Sequence, residues 1–280
     1  MKNRVWIVLW AMCTVALTAE AALWDHFSFA NSRQVEQAPL IRALIVHDVP
    51  NALLEVKGKY LILDAQGKEI SSRVHGKCRL IEVSIDGLAW GEQFPDRFKI
   101  TLVPTDRDSL MIVNGTPYRG TLTVQGFRDS STLSIVNTLD VEHYLASVLG
   151  GSIEQNYPSE VWNAVAIAER THVYNQTLHP KNEHWDVDAS KTGYTGLGEF
   201  VRAAAVDKAV LATRYMVLGR PRAGETSEDV ELVPVKWEAE STQRGVLSLN
   251  EATKQAEKGE HAGQILGQLR PNTAIVRVFP

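Results

Sequence analysis

Cysteine is nearly absent from this 280-residue chain, which has two, Cys13 and Cys78. Cys13 falls in an N-terminal apolar leader, so the rest of the chain carries a single thiol and no intrachain disulfide can form. Positive charge is also scarce: 29 Lys and Arg stand against 33 Asp and Glu, for a net charge of −4, and basic residues never cluster into a run. A chain without excess cationic groups is poorly suited to neutralise a phosphate backbone, which argues against a nucleic-acid partner. There is no Gly-x-Ser-x-Gly elbow for a nucleophilic serine and no Cys/His cluster with zinc spacing. His179 and His184 lie close in sequence but without helical spacing, and read as loop histidines. What is present, 44% hydrophobic and 22% charged residues with no internal repeat, fits one large globular domain or two small ones and rules out collagen-like, disordered and coiled-coil chains.

The first residues read as a secretory leader. Lys2 and Arg4 precede an apolar run over 5–19, and Ala19-Glu20-Ala21 has the small-x-small pattern of a cleavage site. The run of about 15 apolar residues is short for a bilayer span, which needs about 20. Ala11-Met12 before Cys13 lacks the small pair of a lipidation site. Export to the periplasm or cell envelope, without a stable membrane anchor, is the expectation. Residues 1–21 are then the signal peptide and 22–40 a polar linker.

Residues 41–139 read as β-rich. Short runs rich in Val, Ile and Leu (41–46, 53–56, 60–63, 79–83, 98–103 and 109–113) are punctuated by glycines at 58, 67, 76, 87 and 91, the mark of strands joined by turns. Asn114-Gly115 between the runs SLMIV and YRGTLTV predicts a tight hairpin with both turn residues at positive φ. A further strand is expected over 131–139.

Residues 140–280 read as mainly helical. Asp140 caps a helix whose apolar face is Val141, Tyr144, Leu145 and Val148. Pro158 opens a longer helix, with Ser159 able to cap and Glu160 complementing the dipole. Its apolar residues cover most of its circumference, which predicts a central, buried helix. Helices are expected over 201–213 and in the segments NEATKQAEKG and HAGQILGQL, with strands at YMVLG, ELVPVKWEAES and 274–279. The fold class is therefore α+β, a β-rich half packed beside a helical half with a cleft between them.

Five stretches, VNGTPYRGTLTV, LSIVNTLDVEHYLASVL, YPSEVWNAVAIAERT, AVDKAVLATRYMVL and VPVKWEAEST, occur in this order over roughly 240 residues. Together they resemble the SpoIID/LytB family of cell-wall proteins. That resemblance implies action on peptidoglycan glycan strands, by a lytic transglycosylase or by an enhancer of cell-wall amidases, with no cofactor. In such cleavage one carboxyl protonates the glycosidic oxygen, then takes the proton of the C6 hydroxyl of N-acetylmuramic acid, leaving a 1,6-anhydro end. The carboxyl needs a raised pKa in a shielded groove.

The chain departs from the family at that carboxyl. Counting back six residues from Pro158 places Ser152 where the family has its glutamate. Glu154 is the nearest carboxylate. Either the Gly150-Gly151 pair lets the loop remodel so that Glu154 serves as acid/base, or Ser152 marks a loss and the protein binds glycan without cutting it. A serine hydroxyl is no substitute proton donor near neutral pH. Some relatives carry a Cys/His cluster where this chain reads WDVDASKTGYTG. Asp186 and Tyr194 fit that pattern, but without cysteine or histidine a zinc site of that kind is excluded. The family's Gly-His-Gly-x-Gly-x-Ser-Gln segment is abbreviated to STQRGVLSLNEA.

The remaining candidates follow the resemblance. Tyr118 and Arg119 match the Tyr-Arg-Gly strand and are expected near the cleft. Trp185, Tyr194 and Trp237 offer aromatic faces to a pyranose, or serve as core. Ser241 and Thr242 are placed to bind sugar hydroxyls, or to cap a strand end. Arg170, on an otherwise apolar helix, must find a carboxylate or carbonyls, in an ion pair with Glu160 or along the groove.

Overall fold

A computed structural model describes residues 39–106, 108–152, 157–180, 182–197, 204–221 and 230–278. The predicted leader, 1–21, and most of the linker lie outside these residues. So do Glu154 and the first residues of the predicted helix over 201–213. None of the described helices is long and apolar enough to cross a membrane.

The N-terminal half is strand after strand: β1 (Leu40–Val49), β2 (Asn51–Lys57), β3 (Tyr60–Leu63), β4 (Glu69–Arg73), β5 (Gly76–Ser84), β6 (Gly87–Trp90), β7 (Gln93–Pro95), β8 (Lys99–Pro104), β9 (Leu110–Val113), β10 (Thr116–Tyr118), β11 (Thr121–Phe127) and β12 (Thr132–Asp140). After it come α1 (Val141–Ser152), α2 (Ser159–Leu178), β13 (Val187–Asp188), α3 (Ala189–Thr192), α4 (Ala204–Ala212), β14 (Met216–Pro221), β15 (Val230–Leu232), β16 (Lys236–Glu238), β17 (Val246–Ser248), α5 (Leu249–Glu257), α6 (Ala262–Leu269) and β18 (Ala274–Arg277). The protein is α+β, β-rich in its first half and with all described helices in its second.

Two sheets form the β-rich half, a seven-stranded one in the order β13-β1-β12-β11-β8-β3-β4 and a six-stranded one in the order β10-β9-β2-β5-β6-β7. Their strands alternate buried and exposed residues: Ala52, Leu54 and Val56 on β2, Ile100 and Leu102 on β8, and Leu122 and Val124 on β11 all point inward. That period of two makes a sandwich with one shared apolar interior. β12 breaks the alternation, with Leu133 through Asn137 all buried. Helix α1 packs on it, and α1, α2 and α3 pack on neighbouring β1, so the second face of this part of the sheet is covered as well. A single hydrophobic cluster consequently runs from Ile41 to Val276 across both halves.

Asn114-Gly115 forms the β9–β10 turn, with φ of 49° and 85°, and pairs Val113 with Thr116. The Asn114 side chain accepts the Leu53 N–H at 2.9 Å, which fixes this hairpin to β2. The sequence suggested that the strand after the turn would run on through Tyr-Arg-Gly. Instead it stops at Tyr118, and the chain crosses from the six-stranded to the seven-stranded sheet at Arg119-Gly120 before β11 begins. Gly120 has φ of 84°, and a Cβ there would overlap the Thr138 carbonyl oxygen on β12. The crossover therefore depends on having no side chain.

Asp140 caps α1 through the Glu142 N–H at 2.7 Å. Helix α2 starts from Pro158, whose carbonyl accepts the Val161 and Trp162 N–H groups; Ser159 makes no cap. Its buried residues cover most of its circumference, and α1, α4, α5, α6, β14 and β16 surround it.

Gly120→Ala is expected to lower stability by about 2–4 kcal/mol because it adds a backbone overlap to an unfavourable φ. Gly67→Ala, at φ of 79° but facing open space, should lose only about 1 kcal/mol. Urea denaturation of the two variants, with equal m-values, tests the difference.

Candidate functional site

The corner between α1 and α2 is held from below by one buried guanidinium. Arg170 on α2 is fully buried, and Glu142, in the first turn of α1, clasps it two-pronged: Nε donates to Oε1 at 2.9 Å and Nη2 to Oε2 at 2.7 Å. Nη1 donates to the Thr213 hydroxyl and the Met216 carbonyl, both at 3.2 Å, and Nη2 also reaches the Val210 carbonyl at 3.2 Å. One side chain thus ties α1, α2, α4 and the start of β14 together, with its donors satisfied. Its neighbour Thr171 accepts the Leu218 N–H at 2.8 Å and adds a second tie to β14.

This arrangement corrects two expectations. Arg170 does not line a groove, and its partner is Glu142 rather than Glu160. Glu160 instead accepts the Ala262 N–H at 2.9 Å and so stabilises the N-terminus of α6.

Tyr118 and Tyr194 meet, but not as open platforms. Both are buried, their rings 6.0 Å apart, and Tyr144 of α1 lies 5.1 Å from Tyr194. The Tyr194 hydroxyl donates to Asn137 Oδ1 at 2.6 Å, and Asn137 Nδ2 donates to the Arg119 and Thr121 carbonyls at 2.8 and 3.0 Å. Asn137 is fully buried on β12. The contribution of Arg119 to this cluster is its carbonyl; its side chain is exposed. Ser147 of α1 donates to the Gly196 carbonyl at 2.7 Å, and the Leu197 N–H donates to the Pro117 carbonyl at 2.8 Å. The aromatic cluster is therefore a clamp joining α1, β10, β12 and the 194–197 turn. Burial pushes the Tyr144 phenol well above its ordinary range, the Thr192 hydroxyl opposing and the Glu169 carboxylate adding to the rise.

The other candidates stand elsewhere. Trp185 lies beside β1, its ring 5.8 Å from that of His47 and edge-on to it. Asp186 is committed to Arg42, accepting from Nη2 at 2.7 Å and from the backbone N–H at 2.8 Å. This pair sets β13 alongside β1. Trp237 donates its Nε1–H to Glu169 at 3.0 Å and is half-buried against α2.

Ser241 and Thr242 do face open space. They line a cavity of about 320 Å³ bounded by Leu247, Ile265 and Leu269 on its apolar side. Gln243, Ser248, Gln255 and Gln268 supply further amides and a hydroxyl, and Glu251 a carboxylate. Hydroxyls and amides with one carboxylate over an apolar floor suit a polyhydroxylated ligand.

At the position of the family's glutamate, α1 ends with Ser152, and Glu154 follows outside the described residues. Three carboxylates on the two helices are occupied: Glu142 by Arg170, Glu160 by Ala262 and Glu169 by Trp237.

Glu142 and Asn137 were legible only as motif positions. They are the Glu and Asn of the stretch LSIVNTLDVEHYLASVL, but nothing in spacing pairs Glu142 with a residue 28 positions on. The glutamines of the cavity carry no such signal.

Glu142→Ala is expected to destabilise the protein by about 3–5 kcal/mol, since it strands a buried guanidinium. Tyr194→Phe should cost about 1–3 kcal/mol by leaving Asn137 short of a donor. Thermal and urea unfolding of both variants checks these values, and a change under 0.5 kcal/mol, roughly the scatter for surface sites, would contradict them.

The sequence pattern of the SpoIID family, stage II sporulation protein, matches residues 129–219. This span runs from the approach to β12 through the buried Arg170 to β14. An uncharacterized protein of Chlamydia muridarum is 29% identical over 222 residues, 79% of this chain and 76% of that protein. One of Chlamydia pneumoniae is 30% identical over 186 residues, 66% of this chain and 67% of its own length. A third, from Brachyspira hyodysenteriae, is 31% identical over 106 residues, covering 38% of this chain and 28% of that protein. No solved structure matches the chain. With the family's matched span centred on α1, α2 and their Arg170–Glu142 tie, the chain is a divergent member of the SpoIID family, whose role concerns the cell wall.

Proposed function

We propose that this protein is an exported lytic transglycosylase that cuts peptidoglycan glycan strands, including strands stripped of peptides, and leaves 1,6-anhydro-N-acetylmuramic acid ends in wall remodelling or division. The acid/base is Glu154. It protonates the glycosidic oxygen as the bond to the anomeric carbon breaks, and its carboxylate then takes the proton of the C6 hydroxyl as that oxygen closes the anhydro ring. One observation carries this assignment: Glu142, Glu160 and Glu169 are each held in a structural hydrogen bond, which leaves Glu154 for chemistry at the α1–α2 corner. The Ser241–Thr242 cavity supports binding of sugar hydroxyls. The leader at 1–21 supports a periplasmic or envelope location.

A second reading is favoured by Ser152 at the family's glutamate position. In it the protein holds glycan without cutting it and works beside a cell-wall amidase.

Digestion of purified glycan strands, with and without stem peptides, by residues 22–280 separates the two. Mass analysis should find anhydro ends, and Glu154→Gln should reduce their formation by about 10²–10⁴-fold. Strand binding without products would establish the second reading.

A further inference from the structure

At one end of the β-sandwich, where β4 leaves the seven-stranded sheet and β5 enters the six-stranded one, lies an open cavity of about 300 Å³. It belongs to the part of the chain that precedes the family's matched span. Its floor is aromatic. The rings of Tyr60 and Trp90, 6.1 Å apart, are both buried, and the Trp90 Nε1–H is used by the Leu54 carbonyl at 3.0 Å.

The polar groups around that floor are unbalanced. Arg73, Lys77 and Arg79 line the cavity against the single carboxylate of Glu92. Glu92 is already taken by Arg73, at 2.5 Å. Arg79 has only a long contact, 3.4 Å, to the Gly91 carbonyl, and Lys77 has no carboxylate partner among the described residues. His75 faces the same space, its Nδ1 accepting the Gly58 N–H at 3.2 Å.

Tyr60 supplies the independent sign of a ligand. Its residue is 1% exposed, yet its hydroxyl has no hydrogen-bond partner among the described residues and lies at the cavity beside Gly76. A buried phenol ordinarily finds an acceptor. The Tyr60 hydroxyl opens instead onto the cavity that Lys77 and Arg79, both without a carboxylate partner among the described residues, also line.

We propose that this cavity binds a compact oxyanion, a carboxylate or a phosphate monoester carried on a small organic body. The Tyr60 hydroxyl and the Arg79 guanidinium donate to the oxyanion, Lys77 adds charge, and the body extends toward the open side of the cavity. Burial raises the Tyr60 phenol, with Arg73 opposing and Glu92 adding to the rise, so it is a neutral donor at physiological pH. A planar guanidinium fork suits either oxyanion. The site owes nothing to the acid/base at the α1–α2 corner, and its success or failure is separate from that of the glycan reading.

Calorimetric titration of the purified protein with N-acetylmuramic acid, glucose 6-phosphate and neutral N-acetylglucosamine tests it. The expected result is binding of at least one charged sugar and none of the neutral one through this cavity, with the tighter of the two naming the oxyanion. Arg79→Gln and Tyr60→Phe should each weaken binding by about tenfold or more while leaving the melting temperature unchanged, because neither group holds the fold together. Failure of both charged sugars to bind, or binding that the two variants do not alter, would overturn the proposal. Glu154→Gln should leave these affinities intact.

Discussion

A guanidinium with no exposed surface must have its donors met inside the protein, and the way Arg170 meets them organises the helical half. Glu142 supplies the counter-charge, and Val210, Thr213 and Met216 supply oxygens from α4 and the start of β14. A charge pair of this kind gives little net stability over an apolar replacement, because both ions lose their hydration. Its consequence is positional. Three segments far apart in the chain must converge on one planar group, so the start of α1, the middle of α2 and the α4–β14 turn have no freedom to slide past one another.

The α1–α2 corner inherits that placement. The end of α1 at Ser152 and the start of α2 after Pro158 hang from helices whose relation is set by Arg170 and Glu142. From the sheet side, the Asn137–Tyr194 pair and the Ser147–Gly196 contact hold the same α1 against β12 and the 194–197 turn. Residues expected to touch sugar, Tyr118, Tyr194 and Arg170, turn out to build this support. A glycan strand would have to be met by what the support leaves open.

What it leaves open differs in character between the halves. The cavity beside Ser241 and Thr242 is lined by hydroxyls, amides and aliphatic side chains, with one carboxylate. The cavity at the end of the sandwich has three cations and an aromatic floor. Neither lies between the halves, where the sequence suggested a cleft.

Much of the fold was legible in the chain because its signals are local. Alternation in β2, β8 and β11 follows from a sheet with one wet face, Asn114-Gly115 from a turn needing positive φ at both residues, and Asp140 from the unpaired N–H groups of a helix start. The all-round apolar pattern of α2 marked it as central for the same reason. The sequence by itself thus determined the class, the order of elements, the family likeness and the serine at the family's glutamate position. Tertiary structure alone decided that Arg170 pairs with Glu142 and not with Glu160, that the strand after the hairpin breaks at Gly120, and that Tyr60 opens onto unneutralised cations. These depend on contacts between residues distant in the chain, and the choice among partners of equal chemistry is made by which side chains the packed core brings within reach.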